Sequence, residues 1–97
     1  MPYVQSKATS QTVTSASGIV LPGQPQRVKV SFCNTGASII YLAKGTAAVA
    51  GAGIPLSPSG GSFTDERDGL GNIYTGIYSA ITSGSMNLAI QEDYFET

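Results

Sequence analysis

The chain has no histidine and no tryptophan, and its 97 residues include a single cysteine. Without histidine, the Ser-His-Asp and Cys-His nucleophile arrangements are out of reach, and so is the commonest zinc ligand. One cysteine, Cys33, permits no intrachain disulfide, so no cross-linked framework of the secreted mini-protein kind holds the fold. The one cation near it in sequence is Lys29, and Cys33 reads as a small hydrophobe at a strand end rather than as a reactive thiol. Charge is scarce: 11% of the residues are charged, against about a quarter in ordinary globular domains. The five basic residues, Lys7, Arg27, Lys29, Lys44 and Arg67, are scattered and the net charge is −1. That balance excludes the basic stripe with which nucleic-acid binders neutralise phosphates. No stretch approaches a membrane span, residues 1–11 lack the apolar run of a signal peptide, and there is no Asn-x-Ser/Thr sequon. A product made in the cytoplasm, with no nucleic-acid or membrane partner, is expected.

The motifs that carry chemistry elsewhere fail here on spacing. Gly51-Ala52-Gly53 has Leu56 where a dinucleotide-binding loop needs its third glycine, and Pro55 obstructs the helix that must follow. Gly69-Leu70-Gly71 has Tyr74 at the equivalent place, and no Gly-Lys-Ser/Thr occurs. Asp65, Glu66 and Asp68 form the densest acidic cluster, but Arg67 sits inside it and the spacing matches no calcium loop. As a glycosidase pair, neighbours on one strand would face opposite ways. The expectation is therefore no enzyme, no catalytic or metal-binding residues and no cofactor.

What the chain does have is period-two alternation punctuated by turn residues. Residues 1–17 are dominated by Ser, Thr and Gln, with Tyr3, Val4 and Val13 as isolated anchors, and read as an extended N-terminal arm that is mobile or laid against a partner. From residue 18 the turn signals become regular. Arg27–Cys33 reads as a strand with Val28, Val30 and Phe32 inward and Arg27, Lys29 and Ser31 outward. Asn34-Thr35-Gly36 marks a turn with residues suited to positive φ. Residues 38–44 are apolar on both faces, with Ile40 and Leu42 on one side and Ile39, Tyr41 and Ala43 on the other. Ile54-Pro55-Leu56 reads as an edge segment, because proline cannot donate in a central ladder. Residues 62–66 form a short strand. Residues 73–81 read as a long one, with Ile73, Ile77 and Ile81 on one face, Tyr74, Tyr78 and Ala80 on the other, and Gly76 as a bend. Thr82-Ser83-Gly84-Ser85 closes a hairpin onto a final strand with Met86, Leu88 and Ile90 on one face.

Short strands between Gly, Pro and Ser turns, with no helical period, predict an all-β fold. We expect a single β-sandwich, jelly-roll or Ig-like, at residues 18–97, with the arm at 1–17. Strands apolar on both faces need cover on both sides. In so short a chain the second cover is expected from another subunit, making the chain a homo-oligomer. The interface residues expected on this reasoning are Tyr3, Val4, Val13, Ile39, Tyr41, Tyr74 and Tyr78, with Tyr94 and Phe95 of the acidic C-terminal tail either a docking plug or folded back onto their own sandwich.

The string Val28-Lys29-Val30-Ser31-Phe32-Cys33-Asn34-Thr35-Gly36, then Ile40-Tyr41-Leu42, Gly53-Ile54-Pro55-Leu56, Ile77-Tyr78-Ser79-Ala80-Ile81 and a closing strand with Glu92, resembles a pattern in small structural proteins of tailed bacteriophages. The elements are turns and alternations over about residues 27–92, not a chemical signature. The resemblance implies a β-sandwich that assembles symmetrically, often as a trimer, on a virion. The function expected from it is head decoration: a cement protein on the capsid surface that bridges neighbouring major capsid proteins. A tail, fibre or baseplate module binding a host receptor is the alternative. A carbohydrate-binding module with Tyr41, Tyr74 and Tyr78 as stacking platforms is a third, disfavoured by the missing tryptophan.

Overall fold

Residues 4–95 are described by the computed structural model. Their strands are β1 (Val4–Thr14), β2 (Gly18–Leu21), β3 (Arg27–Asn34), β4 (Ile40–Lys44), β5 (Ile54–Leu56), β6 (Ser62–Glu66), β7 (Tyr78–Thr82) and β8 (Ser85–Phe95). They form two four-stranded sheets, β1-β8-β3-β6 and β2-β7-β4-β5, in which every pair is antiparallel. We call them sheet A and sheet B. No helix occurs among the described residues, so the expected all-β sandwich is the observed class. Every connection except β4–β5 crosses from one sheet to the other, which is the strand order of a jelly roll.

The core lies between the sheets, where alternation turns Val30, Phe32, Leu88 and Ile90 of sheet A toward Ile40, Leu42, Leu56, Tyr78 and Ala80 of sheet B. Phe32 and Tyr78 meet with ring centroids 4.7 Å apart, and Tyr74 stands edge-on to Tyr78 at 5.3 Å. Such pairs add about 0.5–1.5 kcal/mol beyond the area they bury. Asn34 is fully buried at the end of β3, its amide donating to the carbonyls of Ser38 and Leu56 while its oxygen accepts from Gly36 N–H. That side chain ties the sheets together where the chain passes from β3 to β4. The turn there does not use the positive φ that its Asn and Gly allow: neither has one.

Four other expectations are corrected by long-range contacts. Arg27 points inward and is fully buried, because the register of β3 against β8 shifts between Arg27 and Lys29 and this bulge reverses the alternation. Val28 is only half-buried as a result. The strand expected from residue 73 begins at Tyr78; residues 72–77 are loop, with Tyr74 and Gly76 carbonyls accepting from Arg27 instead of from a neighbouring strand. Thr82–Ser85 closes no hairpin, since β7 belongs to sheet B and β8 to sheet A. Residues 4–14 of the expected arm are extended but not free: β1 pairs with β8 from Val4↔Phe95 to Thr14↔Ser85, and Val13 is in the core. The partner that offsets the ordering entropy of this polar segment is the chain's own last strand.

Candidate interaction surfaces

The outward face of sheet B is a continuous uncharged surface. Because Ile40 and Leu42 face the core, Tyr41 and Ala43 face out. The register sets Tyr41 between Ile81 and Pro55, and sets Ala43 beside Ser79, which in turn opposes Ile19. No charged side chain lies in these rows. Ile19 is 61% exposed, and Ile39 and Ile77 flank the strands at half burial. A shallow pocket of ≈ 300 Å³ at one end is lined by Gly18, Ile19, Gly45, Ala47 and Ile77 with Ser17, Thr46 and Ser79. Sequence reasoning placed Ile39 and Tyr41 here; Ile19 and Pro55 escaped it, because a four-residue and a three-residue strand show no alternation to read.

Sheet A presents a different outward face. Reading across its ladder gives the rows Ser6-Asp93-Lys29-Glu66, Ala8-Gln91-Ser31-Thr64 and Ser10-Ala89-Cys33-Ser62. The first row is charged, with Lys29 between the carboxylates of Asp93 and Glu66. The other two are small, and a trough of ≈ 440 Å³ runs over them with the half-buried, unpaired Cys33 in its floor. The edges of sheet A differ as well. β1 is 11 residues long without proline or bulge, and its single charge, Lys7, is exposed with no ion pair among the described residues. β6, on the opposite edge, is five residues long and carries Asp65 and Glu66.

The remaining expected contact residues lie elsewhere. Tyr78 is fully buried and so is no stacking platform or contact residue, whereas Tyr74 is half-buried against it, its hydroxyl donating to the Ile77 carbonyl. The Tyr78 ring is core because alternation in β7 turns it onto Phe32. Tyr94 and Phe95 are no dangling plug: they end β8, paired with Gln5 and Val4, and the Arg67 guanidinium lies 4.9 Å over the Phe95 ring. Val4 is exposed beside them, and Tyr3 lies outside the described residues. The acidic cluster is dispersed. Asp65 faces Lys44 at 3.5 Å and accepts from the Tyr78 hydroxyl at 3.3 Å. Asp68 instead builds a turn, its carboxylate accepting from the N–H groups of Leu70 and Asn72 at 2.8 and 2.9 Å. Those two backbone donors hold its pKa below the usual carboxylate value. Burial, and then the nearby Asp65 carboxylate, raise the Tyr78 hydroxyl well above the usual tyrosine range. Among the described residues no three His, Cys, Asp or Glu side chains come together as a metal site.

The centre of the polar interior is Arg27. Its Nε donates to Glu92 at 2.8 Å, and its terminal nitrogens donate to the carbonyls of Tyr74, Gly76 and Pro22 at 3.0, 3.0 and 2.9 Å. The guanidinium also lies 5.5 Å from the Tyr78 ring centroid. One planar fork thus holds β8, the 22–26 connection and the 72–77 loop together. Nothing here resembles a proton-transfer device; the group is an internal fastener.

No known protein family matches the chain, and no curated protein matches it in sequence. Among solved structures, a chain from work described as "Bacillus endospore appendages form a novel family of disulfide-linked pili" has the same fold at a TM-score of 0.54. The likeness covers 99% of this chain and 89% of that one, at 13% sequence identity. At that identity the likeness is one of fold. It extends over the whole sandwich, β1 included.

Proposed function

We propose that the chain is a structural subunit and not an enzyme, and that it works by packing its sandwich against other β-sandwiches in an assembly on the surface of a particle or cell. The observation that carries this reading is the uncharged outward face of sheet B, where Ile19 and Pro55 are exposed and Tyr41, Ala43 and Ile81 are only half-buried. Its size bounds what it can do. Four strands about 4.8 Å apart and about 16 Å long cover roughly 300 Å², against about 800 Å² per partner in a stable interface. A lasting contact must therefore recruit a sheet edge as well.

Two settings suit such a subunit. The phage-like sequence pattern favours a small homo-oligomer, a trimer in the typical case, cementing major capsid proteins on a virion. The fold shared with a pilus protein favours an array of the chain's own copies. In either, the contacts are non-covalent along the array, because a lone cysteine can join two copies and no more. Light scattering and negative-stain microscopy of the purified protein test the reading. Oligomers or filaments are expected, and Tyr41→Asp should dissolve them. Filaments without any capsid favour the array; a small oligomer that binds assembled heads and raises their rupture temperature favours cement. A monomer that binds neither itself nor heads would refute both.

A further inference from the structure

The two free edges of sheet A differ in kind. Proteins guard exposed edge strands by keeping them short, or by placing charge, proline or a bulge on them. β6 is guarded by its brevity and its two acids. β1 offers eleven residues with one lysine; Thr12 to Thr14 sit beside Gly18–Val20 of sheet B, and Lys7, Thr9 and Gln11 line a cleft with Val20, Leu21 and Pro22 on the inner face, which leaves the backbone edge itself unpaired among the described residues. β8 lies on the other side of the strand.

Resting on the structural-subunit reading above, we infer that β1 of one copy pairs with β6 of the next, continuing sheet A from molecule to molecule. Two observations select this partner. Strand polarity is right: β1 and β3 run one way and β8 and β6 the other, so a copy displaced along the sheet presents β1 antiparallel to β6. Charge is complementary: β1 holds a cation and no acid, β6 two acids and no base. Pairing β6 with its own copy would crowd four carboxylates at one seam, and pairing β1 with itself would bring no acid across the new seam to Lys7, whose own-chain neighbour is Glu92. Register then follows from extending the ladder. The row Ala8-Gln91-Ser31-Thr64 continues with Ala8 of the neighbour beside Thr64, which sets Lys7 opposite Asp65, Thr9 opposite Phe63 and Ser10 opposite Ser62. Lys7 and Asp65 lie on the same side of the sheet in this register, where Asp65 has only Lys44 as a cation, at 3.5 Å. The contact joins unlike surfaces, so it repeats without closing on itself as a two-fold dimer does, and it builds a ring or a helical row.

Engineered disulfides test the register directly. In a Cys33→Ser background, Ala8→Cys is combined with Thr64→Cys, both at exposed outward positions. Within one chain these sites are three strand spacings apart, about 14 Å, and a disulfide needs its α-carbons within about 7 Å, so only neighbouring copies can be bridged. On oxidation we expect a ladder of multimers on a non-reducing gel, and the same from Ser10→Cys with Ser62→Cys. Thr12→Cys with Thr64→Cys, four residues out of register, should give none. Mixing the Ala8→Cys and Thr64→Cys single variants should stop at dimers. Lys7→Glu should cut the ladder several-fold at low salt, whereas Lys7→Arg should not. Absence of a ladder, an equal ladder from the shifted pair, or dimers from Ala8→Cys alone would overturn the seam. If light scattering still shows assembly in that case, the structural-subunit reading survives without it.

Discussion

Replacing Arg27 with methionine should be among the most damaging single changes this fold can receive. Arg27 is fully buried, donates four hydrogen bonds and is paired with Glu92, which is itself almost wholly enclosed. Methionine restores most of the volume but none of the donors, leaving a carboxylate and three carbonyls without their partner. Breaking a buried ion pair from one side costs about 3–5 kcal/mol, a large part of the 5–15 kcal/mol that holds a typical domain. Loosening of the 72–77 loop will let water reach two of the carbonyls, so a value near 4 kcal/mol is expected. With a urea dependence of about 1–3 kcal/mol/M for small domains, the unfolding midpoint should fall by about 2 M. Tyrosine emission and far-ultraviolet circular dichroism follow the transition in a chain that has no tryptophan. Adding Glu92→Met to Arg27→Met removes the stranded charge and should recover about 1–2 kcal/mol, a coupling typical of residues in contact. A loss below about 1 kcal/mol for Arg27→Met, or strict additivity in the double variant, would refute the fastener role.

Three further outcomes are expected. The Tyr78 hydroxyl titrates well above its unfolded value near 10, so the folded chain keeps a proton that the unfolded chain releases. Stability should therefore be flat below about pH 10 and fall by up to about 1.4 kcal/mol per pH unit above it, with tyrosinate absorbance rising together with unfolding; Tyr78→Phe should flatten that decline. Asp68 has a lowered pKa, so its contribution is present above about pH 4 and is lost as the pH falls through its folded value. Asp68→Ala should speed amide exchange at Leu70 and Asn72 and expose Leu70, already 88% exposed, to proteolysis, with little change in melting temperature. Gly53 has φ +90 and a Cβ there would run into the Leu42 carbonyl, so Gly53→Ala should cost about 1–3 kcal/mol in the same urea assay.

The candidate surfaces were legible in part. Ile39 and Tyr41 stood out because residues 38–44 are apolar at successive positions, a pattern that one core cannot absorb from a strand. Tyr74 and Tyr78 carried the same pattern, but Tyr78 belongs to the core as an inward residue of β7, and the loop at 72–77 packs Tyr74 against it. Lys7 and the β1 edge were hidden, since Ser, Thr and Gln with only isolated apolar residues give no periodic signal in a strand held mainly by its ladder to β8, with Val13 alone of its residues in the core.

Composition and alternation by themselves determined that this is an all-β sandwich without histidine chemistry or disulfides, that β3, β4, β6 and β8 are strands, and which residues of β4 and β8 share a face. Those properties are local: turn residues act within four positions, and side-chain direction follows from the pleat. Only the tertiary structure decided that the polar N-terminal segment is a strand, that Arg27 is buried, and that the 72–77 segment leaves the ladder. Each depends on a partner far away in sequence, β8 for β1, Glu92 for Arg27 and Arg27 for the carbonyls of Tyr74 and Gly76. A backbone group or a buried charge goes where it can be satisfied, and that place is set by the packed sheets and not by its neighbours in the chain.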